Sequence, residues 1–278
     1  MDASAVIARV RDLPSLPQLV MELQQSMQRE DVDIHALASR ITLDAALTAK
    51  TLRLANSSFY GVPNKVTTMQ QALSVLGLRS IRTLLTACSI TGSFSPAQVG
   101  AFDLAAFWRH AIATAVCARV LAPHAGINGE NAFTAGLLHD IGALVLASQF
   151  PAEYRQVTAY RHAHDCQAMV AETAVLGIDH AQVGCALAAH WRFPAAIQEA
   201  VAGHHQQMAE GAPFTLTELI CLANVLARAL DVAGLADEQV PPLALPLWQA
   251  IALDEQGWEQ VFDEVEVMFA DLCQMLTP

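Results

Sequence analysis

Apolar positions recur at three- and four-residue intervals along almost the whole chain, and no stretch of strand length alternates apolar with polar residues. The pattern predicts an all-α protein. PQLVMELQQSM, with Pro17 at a tolerated first helical position, DIHALASRI and LDAALTAKTLRLANSSF supply the first helices, and YGVPNK the turn after them. TTMQQALSVLG and LRSIRTLLTACSI come next, parted at Gly77, a residue suited to the position just past a helix end. The small, turn-rich segment TGSFSPAQVG, residues 91–100, predicts a boundary between an N-terminal helical subdomain, 1–95, and a second helical domain, 96–278. Beyond it AFWRHAIATAVCARVLA, NAFTAGLLHDIGALVLASQF, AEYRQVTAYRHAH and QAMVAETAVLG read as helices. DHAQVGCALAAHW opens on Asp179 as an N-cap, PAAIQEAVAGHH near Pro194, and TLTELICLANVLARAL on Thr215 or Thr217. Residues 231–246 form a Pro- and Ala-rich connection, and WEQVFDEVEVMFADLCQML is a final amphipathic helix.

Composition narrows the class. With 278 residues, 54% hydrophobic and 15% charged, the chain can bury a large core and is not disordered. No uninterrupted apolar run reaches the roughly 18 residues of a membrane span, and MDASAVIARVRDLPS lacks the basic-then-apolar order of a signal peptide, so a cytoplasmic protein without membrane partners is expected. A formal charge of -12 and the absence of a Lys/Arg cluster argue against direct nucleic-acid binding. The six cysteines are scattered with no CxxC pair, which predicts buried thiols rather than a zinc ribbon or a dithiol redox site. Neither a fixed-period repeat nor a glycine-rich phosphate loop is present.

Histidine is the exception to this bland picture: there are ten against two lysines, and seven of the ten fall between residues 139 and 205. In AGLLHDIGAL, His139 and Asp140 sit side by side in an apolar helix, about 100° apart around its axis, where a carboxylate is costly unless something pairs with it. His110, 29 residues earlier, can face His139 across an antiparallel helix pair; His180 begins a later helix, and His204 and His205 end the next. Five histidines and a carboxylate from four helices have the composition of a helical-bundle metal site, with ligands that suit iron, manganese or zinc better than calcium. The alternative is that His139 bonds a carbonyl, Asp140 caps locally, and the imidazoles satisfy one another in a metal-free core. His35, His124, His162, His164 and His190 fall on polar faces or in loops and are given no role. Glu172, eight residues before His180, either approaches the site or faces water, and water is the preferred reading. Trp248, Trp258 and Phe262 are either core aromatics or part of a partner surface.

These residues resemble the HD superfamily of metal-dependent phosphohydrolases, which takes its name from such a His-Asp pair. Residues 13–90, with LPSLPQLV, LDAALTAKTLRLANSSFYG and ALSVLGLRSIRTLL, resemble the N-terminal part of the HDOD domain, the HD-related output domain of bacterial signalling proteins. FWRHAIATA, AGLLHDIGALVL, DHAQVGCALAAHWRFP and AVAGHH continue the resemblance in order through residues 107–205. It implies an HD-domain-like helical core carrying an N-terminal helical subdomain, and regulatory output rather than catalysis. It also implies that His110 is the first metal ligand, that His139 and Asp140 are the signature pair, and that His180, His204 and His205 correspond to the added histidines of the HD-GYP phosphodiesterases.

Three departures bear on activity. HDIGK in active HD-GYP enzymes is HDIGA here, so Ala143 brings no lysine to a phosphate. HHQQMAEGAPF lacks the GYP tripeptide. The last metal-binding aspartate of HD enzymes aligns with Asn224, a poorer ligand that cannot deprotonate water. Two functions follow from this set. One is a non-catalytic or weakly catalytic signal-transduction output module, with a remnant site for one or two divalent ions, that addresses signalling proteins and, as a second option, a nucleotide. The other is a metal-dependent phosphodiesterase or phosphohydrolase acting on a nucleotide or cyclic dinucleotide, in which Asp140 and a water on the metal would carry the reaction.

Overall fold

The computed structural model describes residues 3–10, 20–21, 34–57, 60–94, 99, 102–206, 208, 211–234, 240–242 and 245–276. Among these there is no strand. The helices are α1 (Ala3–Val10), α2 (Ile34–Thr42), α3 (Ala45–Ala55), α4 (Met69–Gly92), α5 (Leu104–Leu121), α6 (Gly129–Leu138), α7 (Ile141–Gln149) and α8 (Pro151–His164), followed by α9 (Ala168–Leu176), α10 (His180–His190), α11 (Ala195–Gly203), α12 (Leu216–Ala229), α13 (Leu245–Gln249) and α14 (Glu255–Leu276). A short 3₁₀ turn, Ala122–Ala125, links α5 to α6. The all-α expectation holds, with the caps the sequence announced: Asp179 and Thr215 each close a capping box. Gly77, where the sequence parted two helices, has the non-helical dihedrals φ 77° and ψ 165° that glycine adopts without steric cost, so α4 is two helical stretches joined at a kink there. Most of PQLVMELQQSM lies outside the described residues, as does most of the 95–101 segment on which the domain boundary was drawn.

The fold is organised around α5. Apart from Arg109, His110 and Arg119 its side chains are apolar or small around the whole circumference, which fits an element enclosed by others, and α6, α12 and α14 pack around it. Trp108, Ile112, Val116 and Leu121 are completely or almost completely buried along it. By length and composition α4 and the stretch Leu104–Ala125 are also apolar enough to cross a membrane, with 50% and 78% of the relevant window buried inside the protein. For α5 the enclosing helices account for that apolarity. α14 presents Trp258, Val261, Val265, Phe269 and Leu272 at helical spacing and leaves Glu259, Asp263, Glu264 and Glu266 to solvent. Trp248 stacks on Trp258 with ring centroids 3.8 Å apart, and Phe262 packs beside them against the core.

Two contacts without side chains set where helices cross. α5 and α6 run antiparallel, and they are so close that a Cβ at Gly136 would lie 2.6 Å from Ala115 Cα. α7 and α10 approach still more tightly: a Cβ at Gly142 would lie 1.9 Å from the His180 carbonyl oxygen. The first crossing sets His110 opposite His139, and the second sets His180 beside Asp140.

Four cysteines are buried as expected, but Cys166 and Cys185 are partly exposed. Burial pushes the Cys88 thiol up to about 11 and those of Cys117 and Cys221 up to about 12. Almost none of these three is thiolate at pH 8, so access and ionisation both protect them. Iodoacetamide at pH 8 should therefore modify Cys166 and Cys185 in the native protein, while Cys88, Cys117, Cys221 and Cys273 react only in denaturant; mass mapping of the alkylated peptides checks this.

Candidate metal centre

The helix expected across residues 131–150 is broken at the His-Asp pair. His139 is the C-cap of α6, and Asp140, with φ -99° and ψ 6°, is the N-cap of α7. The two side chains converge because the chain turns between them. His139 Nε2 lies 3.2 Å from Asp140 Oδ2.

Four further imidazoles meet this pair. His110 Nε2 is 3.2 Å from His139 Nε2 and 3.6 Å from Asp140 Oδ2. His180 Nε2 and His204 Nε2 each stand 3.2 Å from Asp140 Oδ1. His180 Nε2 is also 3.4 Å from His204 Nε2 and 2.8 Å from His205 Nε2. Asp140 thus faces two groups, His110 with His139 through Oδ2, and His180 with His204 through Oδ1, the latter joined by His205, and each group has its ligand atoms within 4.8 Å of one another. His110, His139, His180 and His204 are buried and His205 is half-buried. All six residues expected here from His110 to His205 are brought together, whereas His35, His124 and His164 are exposed and His190 half-buried, away from the cluster. Asn224 is buried in the wall beside it, its Oδ1 accepting from Arg228 Nε at 3.1 Å.

The protons can be assigned from partners that only accept. His139 Nδ1–H donates to the Gly136 carbonyl and His204 Nδ1–H to the Val201 carbonyl, both at 2.7 Å. In a neutral imidazole the other nitrogen is then a lone pair. When these rings are neutral both Nε2 lone pairs point at the Asp140 carboxylate, itself an acceptor, and Oδ1, enclosed by protein, takes no hydrogen bond; a second proton on either ring would be donated to the carboxylate. Burial by itself would raise Asp140, but His139, His180 and His204 hold its carboxyl well below the usual carboxylate range, so it is ionised. Burial and the neighbouring imidazoles lower His204 to about 4 and His205 to about 2, leaving both neutral at pH 7. Burial also acts to lower His180, yet Glu172 and Asp140 outweigh it and hold His180 well above the ordinary imidazole range.

Acceptor atoms that face one another in a buried site need donors or positive charge among them, which the proton held on His180 supplies in part and a metal ion would supply for the whole set. The spacing fits a metal ion: ligands about 2.1 Å from a common centre lie about 3.0 Å apart at right angles and about 3.4 Å apart at the tetrahedral angle. The observed separations run from 2.8 to 3.6 Å. Imidazole with carboxylate suits iron, manganese or zinc.

Glu172 corrects an expectation. It is not in water but fully buried, with Oε2 accepting from the His180 backbone N–H at 2.8 Å and from His180 Nδ1–H at 2.6 Å, while Oε1 accepts from Tyr154 Oη at 3.2 Å. A carboxylate bonded to the far nitrogen of a ligand imidazole fixes its ring and raises its basicity. Arg228 was also missed. Its Nη2 lies 3.2 Å from His110 Nε2 and 3.9 Å from Asp140 Oδ2. Above the cluster opens a cavity of about 570 Å³ whose wall includes Tyr154, Arg161, His162, Gln167, Arg228 and, at the position lacking a lysine, Ala143.

This fold and cluster define an HD-type helical protein. The sequence profile of the HDOD domain matches residues 13–207, and the chain belongs to the HDOD family. A solved candidate phosphohydrolase from Shewanella amazonensis SB2B is 29% identical, with a TM-score of 0.78 and 98% of each chain covered. A candidate signal transduction protein from Marinobacter aquaeolei VT8 shares the fold at 23% identity and a TM-score of 0.75, covering 99% of this chain and 65% of that one. A curated protein of Treponema pallidum (strain Nichols), uncharacterized by name, is 26% identical over 242 residues, 86% of this chain; the chain spans 46% of that relative's length.

Two substitutions probe the geometry. Gly142→Ala forces α7 off α10, and overpacking of about 1–3 kcal/mol should lower the melting temperature by on the order of 5–10 °C and cost bound metal as His180 leaves Asp140; calorimetry and elemental analysis check both. Glu172→Gln keeps the shape but removes the charge, and metal affinity measured by titration calorimetry should fall about 10–100-fold with the helical content unchanged.

Proposed function

We propose that this HD-related signalling module binds a divalent metal ion at the Asp140 cluster and uses the loaded domain to address other signalling proteins without turning over a phosphoester. The observation that carries the metal half of this reading is the facing of acceptor atoms across Asp140, where protons on His139 and His204 are committed to carbonyls. Iron, manganese and zinc are the ions that such a donor set favours. A cytoplasmic setting belongs to the same proposal.

The absence of turnover rests on what surrounds the cluster. A bound ion supplies charge to polarise a phosphate and lowers the pKa of a coordinated water from 15.7 to about 7. Hydrolysis needs more from the protein. Position 143 gives a methyl group to the cavity where a phosphate would need a cation. Position 224 gives an amide already bonded to Arg228 instead of a carboxylate able to take a proton. Glu172 is spent on His180 and Tyr154 and does not face the cavity.

A second reading, a phosphohydrolase acting on a nucleotide or cyclic dinucleotide, is favoured by the complete histidine set and by Arg161 and Arg228 in the cavity wall. A protein purified without an affinity tag or added metal separates the two. Elemental analysis should find iron, manganese or zinc, lost in His204→Ala, with no cleavage of a generic phosphodiester or of cyclic dinucleotides. Turnover that disappears in His139→Ala establishes the second reading, and a folded protein free of metal even after loading removes both.

A further inference from the structure

Arg228 stands against the first half of the cluster, not the second. Its Nη2 is 3.2 Å from His110 Nε2 and 3.9 Å from Asp140 Oδ2, two of the three atoms that form that half. A guanidinium has donors and no acceptor, so His110 Nε2 gives its lone pair to Arg228. That lone pair cannot also bind a metal ion. The guanidinium is held in this position from one turn earlier on α12, where Asn224 Oδ1 accepts from its Nε at 3.1 Å. In the second half, His180, His204 and His205 face one another and Asp140 Oδ1, and among the described residues no lysine or arginine bonds any of the three.

We propose that Arg228 is the built-in cation of the His110–His139–Asp140 half and keeps a metal ion out of it, so that the chain holds one ion, between Asp140, His180, His204 and His205. The cation that balances His110 and Oδ2 is covalently part of the protein and carries one charge, where a second metal ion would bring two. Asn224 then acts as a positioning residue for the guanidinium. This inference rests on the metal-binding reading above and concerns only how many ions the cluster takes and where.

Manganese(II) titrated into the metal-free 278-residue chain tests it, with stoichiometry from calorimetry and elemental analysis and the ion environment from electron paramagnetic resonance. The wild type should bind one ion and give the six-line spectrum of an isolated centre. Arg228→Met, of similar length but neutral, should bind two ions with an exchange-coupled spectrum, while Arg228→Lys, which keeps the charge, should remain at one. His110→Ala should still hold one ion and His204→Ala should hold none, which locates the ion independently of any Arg228 variant. Two ions in the wild type, or one in a folded Arg228→Met protein, overturn the inference while leaving metal binding intact. No ion in any variant removes the metal reading itself, and this inference with it.

Discussion

Acceptor atoms forced to face one another are the constraint around which the core of this protein is arranged. The Nε2 lone pairs of His139 and His204 and both oxygens of Asp140 are directed at shared space by bonds made elsewhere, since the Gly136 and Val201 carbonyls take the far protons of the two rings, while the Nε2 of His110 faces the Arg228 guanidinium. An unsatisfied buried acceptor costs about 1–3 kcal/mol, and a domain has about 5–15 kcal/mol of stability in all. Several such acceptors with nothing between them would consume much of that margin. Positive charge is thus a structural requirement of this packing before it is a matter of chemistry.

The fold supplies the rigidity that this demands. The lone pairs stay opposed only because α5 meets α6 at Gly136 and α7 meets α10 at Gly142 with no side chain between the backbones. The chain break at residues 139–140 serves the same end. A continuous helix would direct His139 and Asp140 about 100° apart, whereas a C-cap followed at once by an N-cap lets both reach one centre. Glu172 extends the arrangement outward, tying the His180 ring to Tyr154 and α9.

How much of this could be read in advance depends on the kind of information each feature needs. The helices, the caps at Asp179 and Thr215 and the assembly of His110, His139, Asp140, His180, His204 and His205 were legible, because periodicity and capping are local and the histidines stand out in an apolar chain. The break inside NAFTAGLLHDIGALVLASQF was not, since neither proline nor a polar cluster marks it and apolar spacing continues across it. Glu172 was misplaced for a related reason. In AETAVLG it looks like an ordinary solvated glutamate, and its burial follows from how α9 meets the start of α10, a tertiary fact. Arg228 was invisible on the same ground, its partner lying 118 residues away.

The positions that separate this chain from active HD enzymes make one coherent change. By the resemblance, Ala143 stands where active HD-GYP enzymes carry a lysine and Asn224 where HD enzymes carry an aspartate, which would leave the cavity one cation and the wall of the cluster one negative charge poorer. The second loss changes what Arg228 can do. Against an aspartate at 224, its guanidinium would have a carboxylate partner one turn away on its own helix, a stronger attraction than an amide oxygen offers. Asn224 offers Arg228 a neutral acceptor, and Asp140 Oδ2 lies 3.9 Å from its Nη2. On the one-ion proposal, the guanidinium that Asn224 positions beside His110 and Asp140 supplies the positive charge of that half of the cluster, and a metal ion would supply it in the other.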